Sequence, residues 1–213
     1  MSLALAERFG SVPINSGILQ NTLKDYRSPR ARIQLLERRG ELISLRRDLY
    51  VCNTAQGYSH GLIANHLLGP SYVSYETVLA EAGIIPERVY SIRSSCLARS
   101  RSFDNATGHY EYTQVPAAYF AVGIRSVQTE QGYYYLSATP EKALCDLILA
   151  TPGLRLQTPK AAREYAEIYL RADMEAIAGM NADLIAACAE AAHKKNNDLK
   201  NLEKFIRHEQ QRF

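Results

Sequence analysis

The sequence predicts an α+β protein: an N-terminal winged helix-turn-helix, then a mixed domain with a small antiparallel sheet and a C-terminal helical part. Three observations carry the prediction. The stretch from Ser28 to Val51 reads as a capped helix followed by a short hairpin. Between Val89 and Leu136 apolar and polar residues alternate with period two. From Thr139 onward helix starts recur, two of them as Thr-Pro pairs.

The chain opens with Leu3 to Phe9, an amphipathic helix by pattern, and Val12-Pro13-Ile14 reads as extended. Asn15 or Ser16 can cap the next helix, which runs through Ile18, Leu19 and Leu23. Lys24 to Arg27 is the turn into a third helix. There the Ser28 hydroxyl can accept a bond from a free N–H of the first turn, and Pro29 suits the first helical position, where its missing N–H costs nothing. Ile33, Leu35 and Leu36 give this helix an apolar side, and Arg30, Gln34, Glu37 and Arg38 share the opposite arc. Gly40 stops it, because glycine accepts the left-handed conformation needed there. Leu42, Ile43 and Leu45, then Arg46-Arg47-Asp48, then Leu49-Tyr50-Val51 read as two strands joined by a basic turn.

Charge gives this layout a purpose. Between Tyr26 and Tyr50 stand seven arginines and three acidic residues, a net charge of +4 against +3 for the whole chain. The planar fork of arginine suits phosphate and guanine. The candidate DNA contacts are Arg27, Ser28, Arg30, Arg32, Gln34, Arg38, Arg46 and Arg47. Arg30 and Gln34 are expected at base edges; Arg27, Arg38 and the wing arginines are expected on phosphate. Two other readings stay open: a solvated surface helix that merely carries arginines, and a winged helix that binds protein.

Asn53 to Ser59 is small and polar. It divides the chain into a DNA-binding domain over 1–55 and an α+β domain over 56–213. Leu62 to Leu67 is a short helix ending at Gly69-Pro70, and its lone His66 reads as a surface or core-edge residue. Ser71 to Tyr75 reads as a turn leading into a helix that Ser74 caps and Gly83 ends. From Val89 to Leu136, with turn signals at Asn105 to Gly108 and Glu130 to Gly132, three to five antiparallel strands are expected. The tyrosines there invite base stacking, but the segment is not basic, and packing on a half-exposed sheet is the better reading. Thr139-Pro140-Glu141 starts a helix buried through Ala143, Leu144, Leu147 and Ile148. Thr158-Pro159 starts another, reaching Leu170, and Met174 to Gly179, Ala182 to Ala192 and Leu199 to Gln211 follow. The last puts Lys200, Lys204 and Arg207 away from its apolar side, as a solvated face or a contact for nucleic acid or an acidic partner.

Composition narrows the function. No apolar run approaches the roughly 18 residues a membrane span needs, and the N-terminus lacks a basic leader, so a cytoplasmic protein without a membrane partner is expected. Cys52, Cys96, Cys145 and Cys188 are far apart, without a C-x-x-C pair or a histidine at zinc spacing. They read as reduced, mostly buried thiols, and no metal is expected. Residues 1–55 carry nine basic and five acidic side chains, 56–190 ten and fourteen, and 191–213 six and three. Both ends are basic and the middle is acidic. No Walker loop, nucleophile elbow, HExxH or dinucleotide fingerprint occurs. Glu141-Lys142 resembles a fragment of a nuclease motif, but the two residues are adjacent rather than separated by one, and Glu141 suits the positive end of a helix. Asp146 interrupts an apolar helix, which points to a buried polar contact. Neither a catalytic residue nor a cofactor is expected.

Four blocks occur in order: LLERRGELISLRRDLYV, GPSYVSYETVLAEAGIIPERVYSI, TGHYEYTQVP and YYYLSATPEKALCDLI. In order and spacing they resemble the AbiEi antitoxin family, the antitoxin half of bacterial abortive-infection (type IV) toxin-antitoxin pairs. The resemblance runs from about Arg8 to Leu149, and more weakly beyond. It implies a winged-helix domain that binds operator DNA with inverted repeats and represses the shared promoter. It also implies a C-terminal domain that counters a nucleotidyltransferase-like toxin. The family usually has glycine at the wing position held here by Asp48. Aspartate tolerates a left-handed turn, but an acid there weakens contact with phosphate. After Pro152 the match is too loose to carry over a toxin-contact residue. A winged-helix regulator without a toxin and a protein-interaction module are the alternatives.

Overall fold

Three helices and three strands come first: α1 (Ser2–Phe9), β1 (Ile14–Asn15), α2 (Ser16–Thr22), α3 (Pro29–Arg38), β2 (Leu42–Arg46) and β3 (Leu49–Cys52). The computed structural model describes residues 2–55, 57–87 and 89–211. Asn15 caps α2 by accepting from the Ile18 N–H at 2.9 Å, and Ser28 caps α3. β3 lies between β1 and β2, with Ile14 opposite Tyr50 and Leu42 opposite Cys52. Period two then divides the hairpin between two cores. Leu42 and Cys52 point to a small core shared with Leu5, Ile14, Leu19, Leu23, Ile33 and Leu36. Leu45, Leu49 and Val51 point the other way, into the large core of the rest of the chain. The polar segment after Val51 is thus a boundary in sequence but not a boundary between cores.

The second sheet is built from β4 (Ser71–Val73), β5 (Ser91–Cys96), β6 (Arg101–Asn105), β7 (Gly108–Gln114), β8 (Ile124–Gln128) and β9 (Tyr134–Ala138), with helices α4 (His60–Leu67), α5 (Tyr75–Glu81) and α6 (Ala117–Phe120) between them. Its order is β6-β7-β5-β4-β9-β8. The expectation of antiparallel strands holds for β4–β5, β6–β7 and β8–β9 and is corrected for the other two pairings: β5 pairs with β7, and β4 with β9, in parallel. The cause is insertion. β6 and β7 form a local hairpin, and so do β8 and β9, and each hairpin lays its second strand beside an earlier one. The expectation of a turn at Ser71 to Val73 is also corrected. That segment is a central strand, three residues long and buried throughout, too short to show an alternation.

The remaining helices are α7 (Pro140–Ala150), α8 (Pro159–Glu164), α9 (Met174–Ala178), α10 (Ala182–Ala191) and α11 (Asn196–Gln210). The helix expected to reach Leu170 becomes a π-helical turn at Tyr165–Tyr169. α7 is buried at every position from 142 to 149. Its two charged residues in that run, Lys142 and Asp146, lie one turn apart with 3.5 Å between Nζ and Oδ1. The Asp146 carboxylate accepts from Ser74 at 2.6 Å, Ser95 at 3.2 Å and Tyr119 at 2.7 Å. Ser74 stands at the N-terminus of α5, but its hydroxyl is spent on Asp146 and makes no cap bond. Lys142 donates to the Tyr119 carbonyl at 2.8 Å. The sheet tyrosines Tyr110 and Tyr112 are buried, whereas Tyr134 is exposed. All four cysteines are buried and free. Among the described residues no helix is long and apolar enough to cross a membrane.

Candidate nucleic-acid interface

α3 is held by Ile33 and Leu36, which are buried in the small core, so its opposite arc faces outward. Arg30, Gln34, Glu37 and Arg38 are all exposed on that arc. The Ser28 hydroxyl accepts from the Ala31 N–H at 3.4 Å. At the other end Gly40 has φ +69°, and its N–H returns to the Glu37 carbonyl at 2.9 Å. Arg30 Nε donates to Gln20 Oε1 on α2 at 3.4 Å, and Arg38 Nε donates to the Gln34 carbonyl at 3.4 Å. Arg27 is exposed just before the cap.

Arg46 and Arg47 are exposed at the hairpin turn, where Asp48 adopts φ +62°. The turn does not project freely. The Asp48 carbonyl accepts from the Ser16 N–H at 3.0 Å, and the Asp48 carboxylate accepts from the Ser16 hydroxyl at 3.0 Å. Ser16 and Gln20 stand four residues apart on α2 and therefore share one face of it. The first turn of α3 and the tip of the hairpin thus meet the same side of α2, about one helical turn apart. The start of α3 and the hairpin turn are thus both tied to α2, although they are far apart in sequence. Neither Ser16 nor Gln20 was among the candidate DNA contacts, and Ser16 was read only as a possible cap of this helix. The only sequence signal they share is the four-residue spacing on a short helix.

Arg32 behaves differently. It is half-buried on the other side of α3, with its guanidinium carbon 5.2 Å from the centre of the Tyr26 ring. Its buried Nε has no hydrogen-bond partner. This contact ties the turn before Ser28 to the helix, and it sets Arg32 apart from the exposed arc. Asp48 Oδ2 lies 3.6 Å from Arg47 Nε, in a pair whose side chains are 64% and 96% exposed. Such a pair contributes little to stability, but it places a negative charge among the tip arginines.

The rest of the chain also touches the hairpin. β2 is irregular between Ser44 and Arg46, and the Leu45 carbonyl accepts from the Asn105 side-chain amide at 3.0 Å. Burial pushes the Tyr112 phenol far above its ordinary range, and the nearby Arg46 guanidinium opposes that shift. On another side the Ser11 hydroxyl donates to the Gln131 side chain. Asn105 is 60 residues from Leu45, and no local pattern points to it.

Chemistry elsewhere is confined. Among the described residues no group of three or more His, Cys, Asp or Glu is placed to hold a metal ion. Lys142 is fully buried, and burial lowers its pKa while Asp146 opposes the change. Glu141 accepts from the Asn181 N–H at the start of α10, and His66 lies 2.9 Å from the Leu62 carbonyl. No protein-family model matches the chain, and no curated protein matches it in sequence.

Proposed function

We propose that residues 1–55 are a winged-helix DNA-binding domain, and that the protein is a cytoplasmic antitoxin of the AbiEi kind. On this reading it represses its own toxin-antitoxin promoter and counters a nucleotidyltransferase-like toxin. The observation that supports DNA binding most is the arrangement about α2. Arg30 bonds to Gln20 and the hairpin tip bonds to Ser16. On this reading a duplex that meets the exposed arc of α3 reaches the Arg46-Arg47 turn as well, one helix in a groove flanked by phosphate contacts. Arg32, half-buried and turned toward Tyr26, holds the turn before Ser28.

The antitoxin half rests on the resemblance of the four ordered blocks, carried by residues 56–213. The chain acts by binding and not by catalysis. Lys142 and Asp146 are buried and paired with one another, and the Asp146 carboxylate is further occupied by buried hydroxyls. The test uses the full-length protein. A mobility-shift titration compares the duplex upstream of its own gene with a random duplex of equal length. Co-expression with the adjacent reading frame then asks for rescue of growth. Preferred binding with rescue is the expected outcome. Preferred binding beside an adjacent frame that is not toxic gives the toxin-free regulator, and equal or absent binding refutes the repressor.

A further inference from the structure

The edge strand of the large sheet reaches the hairpin through a built contact. Leu45 sits at the irregularity of β2, immediately before Arg46. A bulge leaves a backbone group without its partner in the ladder, and Asn105, the last residue of β6, supplies one for the Leu45 carbonyl at 3.0 Å. Asn105 is itself clamped. Its Oδ1 accepts from the Thr107 N–H at 2.8 Å and from the Thr107 hydroxyl at 2.6 Å, which fixes the amide with its NH2 group toward Leu45. The Thr107 hydroxyl lies 2.8 Å from the Tyr110 hydroxyl, and Tyr110 lies 3.0 Å from His60 Nδ1 at the start of α4. Thr107 and Tyr110 are both buried, and so is the Leu45 side chain, in the large core. The backbone just before the tip arginines is therefore gripped on both sides by the large unit, through a packed side chain and through an oriented amide.

We infer that Asn105 is a positioning residue for DNA binding: it sets the direction of the Arg46-Arg47 tip from outside the winged-helix domain. This rests on the DNA-binding reading above. It extends that reading, because the DNA-contacting surface is then completed by the β6–β7 hairpin. By linkage, whatever displaces that hairpin changes DNA affinity, and DNA changes the affinity of whatever displaces it.

Asn105→Ala removes the donor to Leu45 without placing a new charge beside the tip arginines, which aspartate would do. In the full-length protein this is expected to weaken binding to the upstream duplex about threefold to tenfold, the range of one net hydrogen bond. The deciding comparison is a double-mutant cycle with Arg46→Ala/Arg47→Ala, read by fluorescence anisotropy at low salt so that weak complexes remain measurable. If Asn105 acts through the tip, its loss changes binding less than twofold once the arginines are gone. An equal loss in both backgrounds means general destabilisation and overturns the inference, as does unchanged binding by Asn105→Ala with the arginines present. Thr107→Val removes the hydroxyl bond to Asn105 Oδ1 and keeps the backbone one, so it is expected to weaken binding less than loss of Asn105 does. A loss of binding by Thr107→Val that persists once the arginines are gone also overturns the inference. A wild-type protein that binds neither the upstream nor a random duplex refutes the DNA-binding reading itself, and this role with it.

Discussion

Replacing Asp48 with glycine separates the two jobs of the hairpin turn, because the structural effects nearly cancel and the electrostatic one does not. Asp48 holds φ +62°, a conformation that costs an L-residue about 1–2 kcal/mol and aspartate somewhat less. Glycine removes that cost, but it restores chain entropy to the unfolded state worth about 0.5–1 kcal/mol. It also loses the bond from the Ser16 hydroxyl, for which a net loss of about 0.5–1.5 kcal/mol is ordinary and the exposed position argues for the low end. The Ser16 N–H keeps its bond to the carbonyl of residue 48. Stability should therefore change by less than about 1 kcal/mol. The carboxylate 3.6 Å from Arg47 disappears, so the tip meets phosphate without a like charge beside it. Removing one exposed like charge is worth about 0.4–1 kcal/mol, or twofold to fivefold in affinity, and the salt dependence should steepen by up to about one unit of slope. Anisotropy titrations of Asp48→Gly and wild type, at two salt concentrations on one duplex, read both effects. Weaker binding by Asp48→Gly at fixed salt, with unchanged thermal stability, would refute the reasoning, since the side chain would then be making a contact that binding needs.

Three further outcomes are expected. Arg30→Ala should cost about 1–3 kcal/mol on the upstream duplex and relax preference at one base position; equal losses on specific and random duplex would remove Arg30 from base readout. Asp146→Ala leaves three buried hydroxyls without their acceptor and the Lys142 charge without its partner, so the urea midpoint should fall by the equivalent of about 3–5 kcal/mol; a loss below about 1 kcal/mol would contradict the buried pair. His109 lies 2.6 Å from Asp104 and 3.1 Å from Glu111, and chiefly the bond to Asp104 raises its pKa above the ordinary 6.5. Its contribution to stability is therefore full below pH 6.5 and is lost as the pH rises through the higher folded value; a histidine NMR titration that places His109 at or below 6.5 would refute this.

What was legible in the sequence is what depends on neighbours along the chain. Ser28, Pro29 and Gly40 announce the ends of α3 because caps and stops act within four residues, and Ile33 and Leu36 announce its buried side by spacing alone. Asp146 stood out because a carboxylate in an apolar helix must find partners. Which partners it finds was not legible, since Ser74, Ser95 and Tyr119 come from three other elements. The same limit explains the strand errors. β4 is too short to alternate, and the parallel pairs arise from hairpins inserting beside distant strands. For the site, arginine count and arc were legible. The contact of Arg32 with Tyr26 was not legible, because the ring belongs to the preceding turn. The link from Asn105 to Leu45 had no sequence signal, because a bulge is fixed by two strands at once.

The divided hairpin bears most directly on how the two proposed activities separate. A cut near residue 55 follows the polar segment, yet it also removes Leu45, Leu49 and Val51 from the large core. Each buried side chain of this kind is worth about 1.5–3 kcal/mol, against a total of about 5–15 kcal/mol for a typical domain. A fragment of residues 57–213 should therefore retain its sheet and helices by circular dichroism, with a clearly lower urea midpoint than the full chain. Residues 1–55 alone keep α3 and its small core, but expose the other face of the hairpin and lose Asn105. They should bind DNA weakly, with a strong dependence on salt, and without the contribution of the tip arginines. If antitoxin activity belongs to the larger unit, residues 57–213 expressed from a foreign promoter still rescue growth at a temperature where the fragment is folded. Rescue by the full chain, and none by a fragment shown to be folded, would mean that the N-terminal unit takes part in countering the toxin. An unchanged urea midpoint would mean that the three hairpin side chains add nothing to the core they enter.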